Sequence, residues 1–186
     1  RTDEAAVIYK RCLSLAANHY ECGLRLAEIE FNRNNYIETI RLATELRESY
    51  PEDWRPLQLL TEAYIESSQY ELAESSFSVL RRLQNSYRTL KNTAISFYNH
   101  GEVRRAERYF RECLAQQPND TDVLRALSSI YLDSRNYQLV IEAGNRLLQI
   151  EPNNRTIKAQ LMIAYELTGD LDNYRTLQEE LEQSGL

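Results

Sequence analysis

Little in this chain interrupts a backbone. Glycine occurs 5 times and proline 4 times in 186 residues. No Gly/Pro/Ser-rich stretch separates one part from another, which excludes flexible linkers and low-complexity segments. Neither a glycine-rich phosphate loop nor a nucleophile elbow is present. The cysteines are Cys12, Cys22 and Cys113, and an odd count speaks against a disulfide framework. The expectation is therefore free thiols serving as small core residues. The two histidines are His19 and His100. Cys12, His19 and Cys22 follow C-x6-H-x2-C spacing, which is not a recognised zinc pattern, so no metal and no cofactor are expected. No apolar run is long enough to cross a membrane, and no signal peptide is readable. A net charge of −6 removes bulk attraction to nucleic acid. No segment alternates with period two for long enough to make a strand.

What the chain does contain is one pattern, repeated. Tyr64, Tyr70, Ala73 and Phe77 recur in spacing as Phe97, Val103, Ala106 and Phe110, then as Tyr131, Tyr137, Val140 and Gly144, then as Tyr165, Leu171 and Tyr174. The frame returns every 33 or 34 residues. A fixed period of this length marks a helical solenoid, in which each unit buries its apolar face only against its neighbours. With units opening at Tyr20, Trp54, Tyr87, Thr121 and Arg155, the eighth slot reads Ala27, Thr61, Ala94, Ser128 and Met162, mostly small, as close helix contact requires. The eleventh slot reads Glu30, Tyr64, Phe97, Tyr131 and Tyr165, a buried ladder of rings that the first unit breaks; Phe31, one place along, is the expected substitute.

Within each unit a turn is expected at Asn34-Asn35, Ser68-Gln69, Gly101-Glu102, Arg135-Asn136 and Gly169-Asp170. Pro51, Pro118 and Pro152 close the second helices. Asp53, Asp120 or Thr121, and Asn154 are ready N-caps for the helices that follow. Capping also explains the two glycosylation-like triplets that begin at Asn119 and Asn154.

These slots resemble the tetratricopeptide repeat family, over nearly the whole chain. The resemblance implies an all-α, right-handed superhelical solenoid of antiparallel helix pairs. It places an orphan second helix at 3–17 and repeats at 20–53, 54–86, 87–120, 121–154 and 155–186, in a single domain. Departures are Gly23 and Lys158 at a usually bulky slot, Asn85 in place of a closing proline, and Gly144 where a ring is expected. The half repeat at the start suggests a piece of a longer chain, with an apolar flank around Tyr9 open to self-association.

The resemblance also implies a non-catalytic scaffold that binds a peptide or a partner subunit within a larger assembly. An alternative is the localising region of a larger enzyme or of a bacterial envelope export machine, for exopolysaccharide or pilus assembly. RNA binding by a pentatricopeptide-like array is disfavoured by acidity and by the period. Between Arg81 and Arg111, eight Arg/Lys face two Glu, a net +6, so the rest of the chain carries −12. Arg104, Arg105, Arg108 and Arg111 fall on the outer side of a second helix. In the family, first helices line a concave groove through their second, fifth, ninth, twelfth and thirteenth slots. Those slots single out Arg88, Lys91, Tyr98, Asn99 and Arg125 as candidate partner-binding residues, suited to an acidic side chain or a terminal carboxylate. The carboxylate clamp of co-chaperone members is absent, since Ile95, Ala126, Thr156 and Gln160 stand where it needs polar and basic groups.

Overall fold

The computed structural model describes residues 2–17 and 19–183, and among these it contains eleven helices and no strand. They form two compact units, 1–89 and 90–186. The first holds α1 (Thr2–Leu15), α2 (Tyr20–Asn32), α3 (Tyr36–Ser49), α4 (Arg55–Glu66) and α5 (Tyr70–Leu83). The division falls inside α6 (Tyr87–Asn99); α7 (Val103–Gln116), α8 (Thr121–Asp133), α9 (Tyr137–Ile150), α10 (Arg155–Thr168) and α11 (Leu171–Gln183) follow. Within each unit, helices pack on their sequence neighbours, and α2 also touches α4, as α8 touches α10.

One backbone device makes every hairpin. The residue after each first helix, or one beyond it, takes a positive φ: Asn34 (59°), Ser68 (60°), Gly101 (77°), Arg135 (57°) and Gly169 (80°). All five are the first members of the expected turn pairs. The amide that follows each one reaches back to the eleventh-slot carbonyl: Asn35 to Glu30 (2.9 Å), Gln69 to Tyr64 (2.8 Å), Glu102 to Phe97 (2.9 Å), Asn136 to Tyr131 (2.8 Å) and Asp170 to Tyr165 (2.9 Å). This six-to-one bond satisfies a helix-end carbonyl that would otherwise lack a partner. The second helices stop at Ser49, Gln116 and Ile150, two residues before Pro51, Pro118 and Pro152. Asp120 and Asn154 then accept hydrogen bonds from the amides of Val123 (3.0 Å) and Ile157 (3.1 Å). Asp53 accepts from the Arg55 amide at 2.9 Å.

The core follows the slots. Ala27, Thr61, Ala94 and Ser128 are buried. Thr61 returns its hydroxyl to the Leu57 carbonyl (2.8 Å), and Ser128 donates to Gln160 Oε1 (2.8 Å), tying α8 to α10. Among the rings, Phe97, Tyr131 and Tyr165 are buried and Tyr64 is half-buried. The Phe97 ring stacks on Tyr109, centroids 5.7 Å apart. Tyr165 keeps its hydroxyl satisfied by donating to Asn145 Oδ1 at 3.1 Å.

The first unit departs from expectation. Glu30, not Phe31, fills the buried eleventh slot. Its carboxylate lies 3.5 Å from Lys10 Nζ on α1 and accepts from Arg33 Nη1 (3.3 Å) and Asn35 Nδ2 (2.8 Å). A buried charge survives only when paired and hydrogen-bonded, and both conditions hold here. Two glycines explain themselves by contact. A Cβ on Gly144 would stand 2.8 Å from Leu161, and one on Gly23 would stand 3.0 Å from Leu46, so leucines fill the space a larger residue would take. Lys158 sits in a buried slot because its ammonium reaches Glu180 on α11 at 2.6 Å.

The expectation of free thiols fails for two of the three cysteines. Cys12 and Cys22 form a disulfide, with Cα atoms 6.3 Å apart. The slot that faces inward near the end of α1 meets the first turn of α2, and a ten-residue separation closes the loop. Cys113 is a buried cysteine outside the disulfide, in the slot shared by the buried Leu46, Leu80 and Leu147.

Candidate partner-binding face

The expected binding residues come from first helices, and the unit of residues 90–186 holds four of them. Lys91 lies on α6, in its second turn. Its ammonium sits between Asp120 (2.9 Å) and Asp122 (2.9 Å), the N-cap and a first-turn residue of α8. Arg125, one turn along α8, bonds Asp122 (2.9 Å) and also Glu151, at the end of α9. Two cations and three carboxylates therefore form one chain of ion pairs along successive helix ends. Partial burial pulls the Lys91 pKa down, but hydrogen bonds from its ammonium to Asp120 and Asp122 outweigh this and hold it above its ordinary value. Lys91 in turn holds the Asp122 carboxyl below the usual range.

This pairing bears on ligand choice. An incoming carboxylate meets cations that already have partners and must exchange with Asp122 or Glu151. Tyr98 is half-buried, with its ring edge-on to Phe110 (6.3 Å), and Asn99 at the end of α6 is exposed. Ile95 (37 % exposed), Ile163 (43 %) and Leu167 (57 %) also stand at inward-type slots, as apolar groups without cover. Ile95 and Ile163 occupy the ninth slot and Leu167 the thirteenth, positions that the charged candidates alone do not single out. Their signal was the recurrence of an apolar residue at the ninth slot, in Ile95 and Ile163, where packing does not require one.

Arg88 belongs to residues 1–89. It is exposed and makes no ion pair among the described residues. In the same unit, inward-type slots carry Gln58, Glu62 and Glu66. Burial, opposed by a hydrogen bond from Gln58 and reinforced by the charge of Glu66, lifts the Glu62 pKa above its ordinary value. On α7, Arg104 and Arg108 are exposed, Arg105 pairs with Glu102, and Arg111 lies 3.9 Å from Glu107. These are the local pairs of a solvated helix face.

The ligand atoms of Cys12, His19 and Cys22 lie within 4.8 Å of one another. The two sulfurs are bonded to each other, however, and a disulfide sulfur is no thiolate ligand. His19 Nδ1 also faces the Cys22 amide at 3.4 Å, capping α2. No helix among the described residues is long and apolar enough to cross a membrane.

No family model matches the sequence, and no curated protein does. Solved structures do resemble the fold. YrrB, described as a TPR protein with an unusual peptide-binding site, is 10% identical, with a TM-score of 0.63 over 96% of this chain and 98% of its own. PilF of Pseudomonas aeruginosa is 16% identical, with a TM-score of 0.62 over 99% of this chain and 84% of its own. TTC0263, a thermophilic TPR protein of Thermus thermophilus, is 18% identical, with a TM-score of 0.53 over 88% of this chain and 90% of its own. At these identities the likeness speaks for architecture: the chain has the tetratricopeptide-repeat fold, an all-α array of helix pairs.

Proposed function

We propose that the chain is a non-catalytic scaffold that holds an extended peptide, or an extended segment of a partner subunit, on the face made by the first helices of residues 90–186. The observation that carries this reading is the uncovered apolar set Ile95, Ile163 and Leu167, all at inward-type slots of first helices, beside Tyr98 and Asn99. Apolar side chains left open at slots that the core does not use are the usual mark of a contact surface. Asn99 offers an amide to a peptide backbone, and Tyr98 offers a ring. Lys91 and Arg125 supply positive charge for an acidic segment, which must trade places with Asp122 or Glu151. Arg88, in the other unit, is a separate candidate for such a segment. That YrrB is described as having a peptide-binding site agrees with this reading.

The direct test is hydroxyl-radical footprinting of the chain with a captured partner. Protection of Tyr98, Ile95 and Ile163, with Arg104 and Arg108 on α7 remaining open, is the expected result. Protection confined to α7 would refute the reading.

A second reading, a working place in a bacterial envelope machine, draws support from the Cys12–Cys22 disulfide, because structural disulfides persist in oxidising compartments. Thiol labelling of the chain in its host decides it: one reactive cysteine after denaturation supports an oxidising location, and three exclude it. Val7 and Ile8 on α1, 66% and 65% exposed, support a further proposal, self-association through α1. Sedimentation should show concentration dependence that Val7→Glu with Ile8→Glu removes.

A further inference from the structure

The first repeat differs from its sisters at a position that helix capping explains only poorly. The residue before each repeat's opening position is His19, Asp53, Ser86, Asp120 or Asn154. Aspartate, serine and asparagine lead among helix caps because a short side-chain oxygen reaches the first amides; histidine is not among the preferred types. Each of the four sister residues accepts from an amide at the start of its helix. His19 also caps, through Nδ1, but at 3.4 Å from the Cys22 amide that bond is weak. The ring is exposed, so burial gives no reason for it either.

What the ring does have is a position. A nitrogen of His19 and the sulfurs of Cys12 and Cys22 all lie within 4.8 Å of one another. A disulfide needs two cysteines and no imidazole. Cys12 comes from the last turn of α1, His19 from the cap of α2 and Cys22 from its first turn. The fold therefore gathers three metal-ligating side chains that C-x6-H-x2-C spacing does not announce. Ligand atoms around one tetrahedral zinc ion stand roughly 3.5–3.8 Å apart, from Zn–S and Zn–N bonds of about 2.3 and 2.1 Å. Opening the sulfur–sulfur bond lets side-chain rotation set that spacing. Beside His19 lies a recess of about 30 Å³, lined also by Gly23, Glu45 and Ser49, with room for one water as a fourth ligand.

We propose that the Cys12–Cys22 bridge is one of two states of this corner, and that in the reduced chain Cys12, His19 and Cys22 bind a zinc ion. Conversion uses an external dithiol. One of its thiolates attacks a sulfur of the bridge and forms a mixed disulfide; its second sulfur then displaces the protein sulfur. The dithiol gives up two electrons and becomes a cyclic disulfide, and its two protons end on the sulfurs of Cys12 and Cys22. Zinc then replaces and releases both protons and takes a neutral nitrogen of His19. The end of α1 is tied to α2 in either state, by a covalent bond in one and by the ion in the other. The site is independent of the scaffold reading, since no groove residue takes part in it.

The full chain is reduced with a phosphine, which supplies no thiol to the metal, and is desalted without air. It is titrated with Zn²⁺ against a chromophoric chelator, and with Co²⁺ for a thiolate-to-metal charge-transfer band. The expected result is one zinc per reduced chain, none per oxidised chain at the same concentrations, and a cobalt band that zinc removes. Cys12→Ser with Cys22→Ser leaves Cys113 as the one thiol and should abolish both signals. His19→Asn installs the cap type of Asn154 and removes the imidazole. It should still form the disulfide but bind zinc at least about tenfold more weakly, since even a group that only orients a metal ligand is worth that much. Zinc should also slow amide exchange in α1 of the reduced chain. No zinc uptake by the reduced chain, equal uptake by the oxidised chain or the double serine variant, or wild-type affinity in His19→Asn overturns the proposal. Zinc bound with no change of exchange in α1 places the ion elsewhere and overturns it as well.

Discussion

At the scale of single residues, the eleventh slot does two jobs. Its side chain enters the core, and its carbonyl accepts the amide that closes the hairpin. The slot therefore tolerates Glu30 only because Lys10, Arg33 and Asn35 surround the carboxylate. Phe97, fully buried and stacked on Tyr109, shows what the slot contributes when it holds a ring. Phe97→Ala should cost about 3–5 kcal/mol in urea unfolding, the usual penalty for a large buried ring; a loss under about 1 kcal/mol would contradict this packing. The turn position makes the reverse case. Arg135 is exposed and holds φ at 57°, where Gly101 and Gly169 stand in two sister turns. The left-handed region disfavours a side chain by more than glycine's added chain entropy costs. Arg135→Gly should accordingly stabilise the chain by about 0.5–1 kcal/mol, read as a rise in the urea midpoint.

At the scale of elements, α1 packs on α2, and two devices tie it down. The Cys12–Cys22 disulfide joins its end to α2, and Lys10 reaches the buried Glu30. A loop of this size should contribute roughly 2–3 kcal/mol by restricting the unfolded chain. Cys12→Ser with Cys22→Ser should therefore speed amide exchange in α1 far more than in α8; equal protection with and without the bridge would show that packing alone holds the helix. The link from Lys91 to Asp122 makes a pH prediction with a defined sign. The Asp122 pKa is depressed on folding, so its contribution is present above the ordinary carboxylate range and is lost as pH falls through the lowered value. The Lys91 pKa is raised, so its contribution is full below the ordinary lysine value and is lost as pH rises through the higher one. Stability should be flat between those limits, and Lys91→Met should blunt the acid limb of a thermal midpoint–pH curve. Helix number, hairpin turns and the small eighth slot were legible in the sequence because local rules set them: a 3.6 period, a left-handed turn, a proline stop. The disulfide was not, since pairing depends on how the end of α1 meets the start of α2, and an odd cysteine count pointed the other way. Neither was the buried Glu30, whose partners come both from the turn that follows its own helix and from Lys10 on α1.

At the scale of the whole molecule, the slots named the inward-type residues, but their occupancy had to come from the structure. Lys91 and Arg125 read as open cations in the sequence, yet Lys91 is held by carboxylates 29 and 31 residues away, and Arg125 by Glu151, 26 residues away, as well as by Asp122 on its own helix. A repeat of 33 or 34 residues brings such distant positions to neighbouring helix ends, and a pattern read one repeat at a time does not pair them. The proposed face thus gains little from its charges when a partner is neutral, and it gains by exchange when a partner is acidic. Two pairs of variants separate these cases from a contact on α7. Lys91→Gln with Arg125→Gln removes the two cations that offset Asp120, Asp122 and Glu151, so an acidic partner should bind at least about tenfold more weakly, with the loss shrinking as salt rises. Arg104→Gln with Arg108→Gln removes charge from the exposed side of α7 and should change affinity less than about twofold. Because the first pair also removes the cations that pair with Asp120, Asp122 and Glu151, thermal midpoints are measured alongside calorimetry, at a temperature where both variants stay folded. A large loss from the α7 pair and none from the Lys91 pair would move the contact to the outer side of the second helices, where Arg104, Arg105, Arg108 and Arg111 share one face.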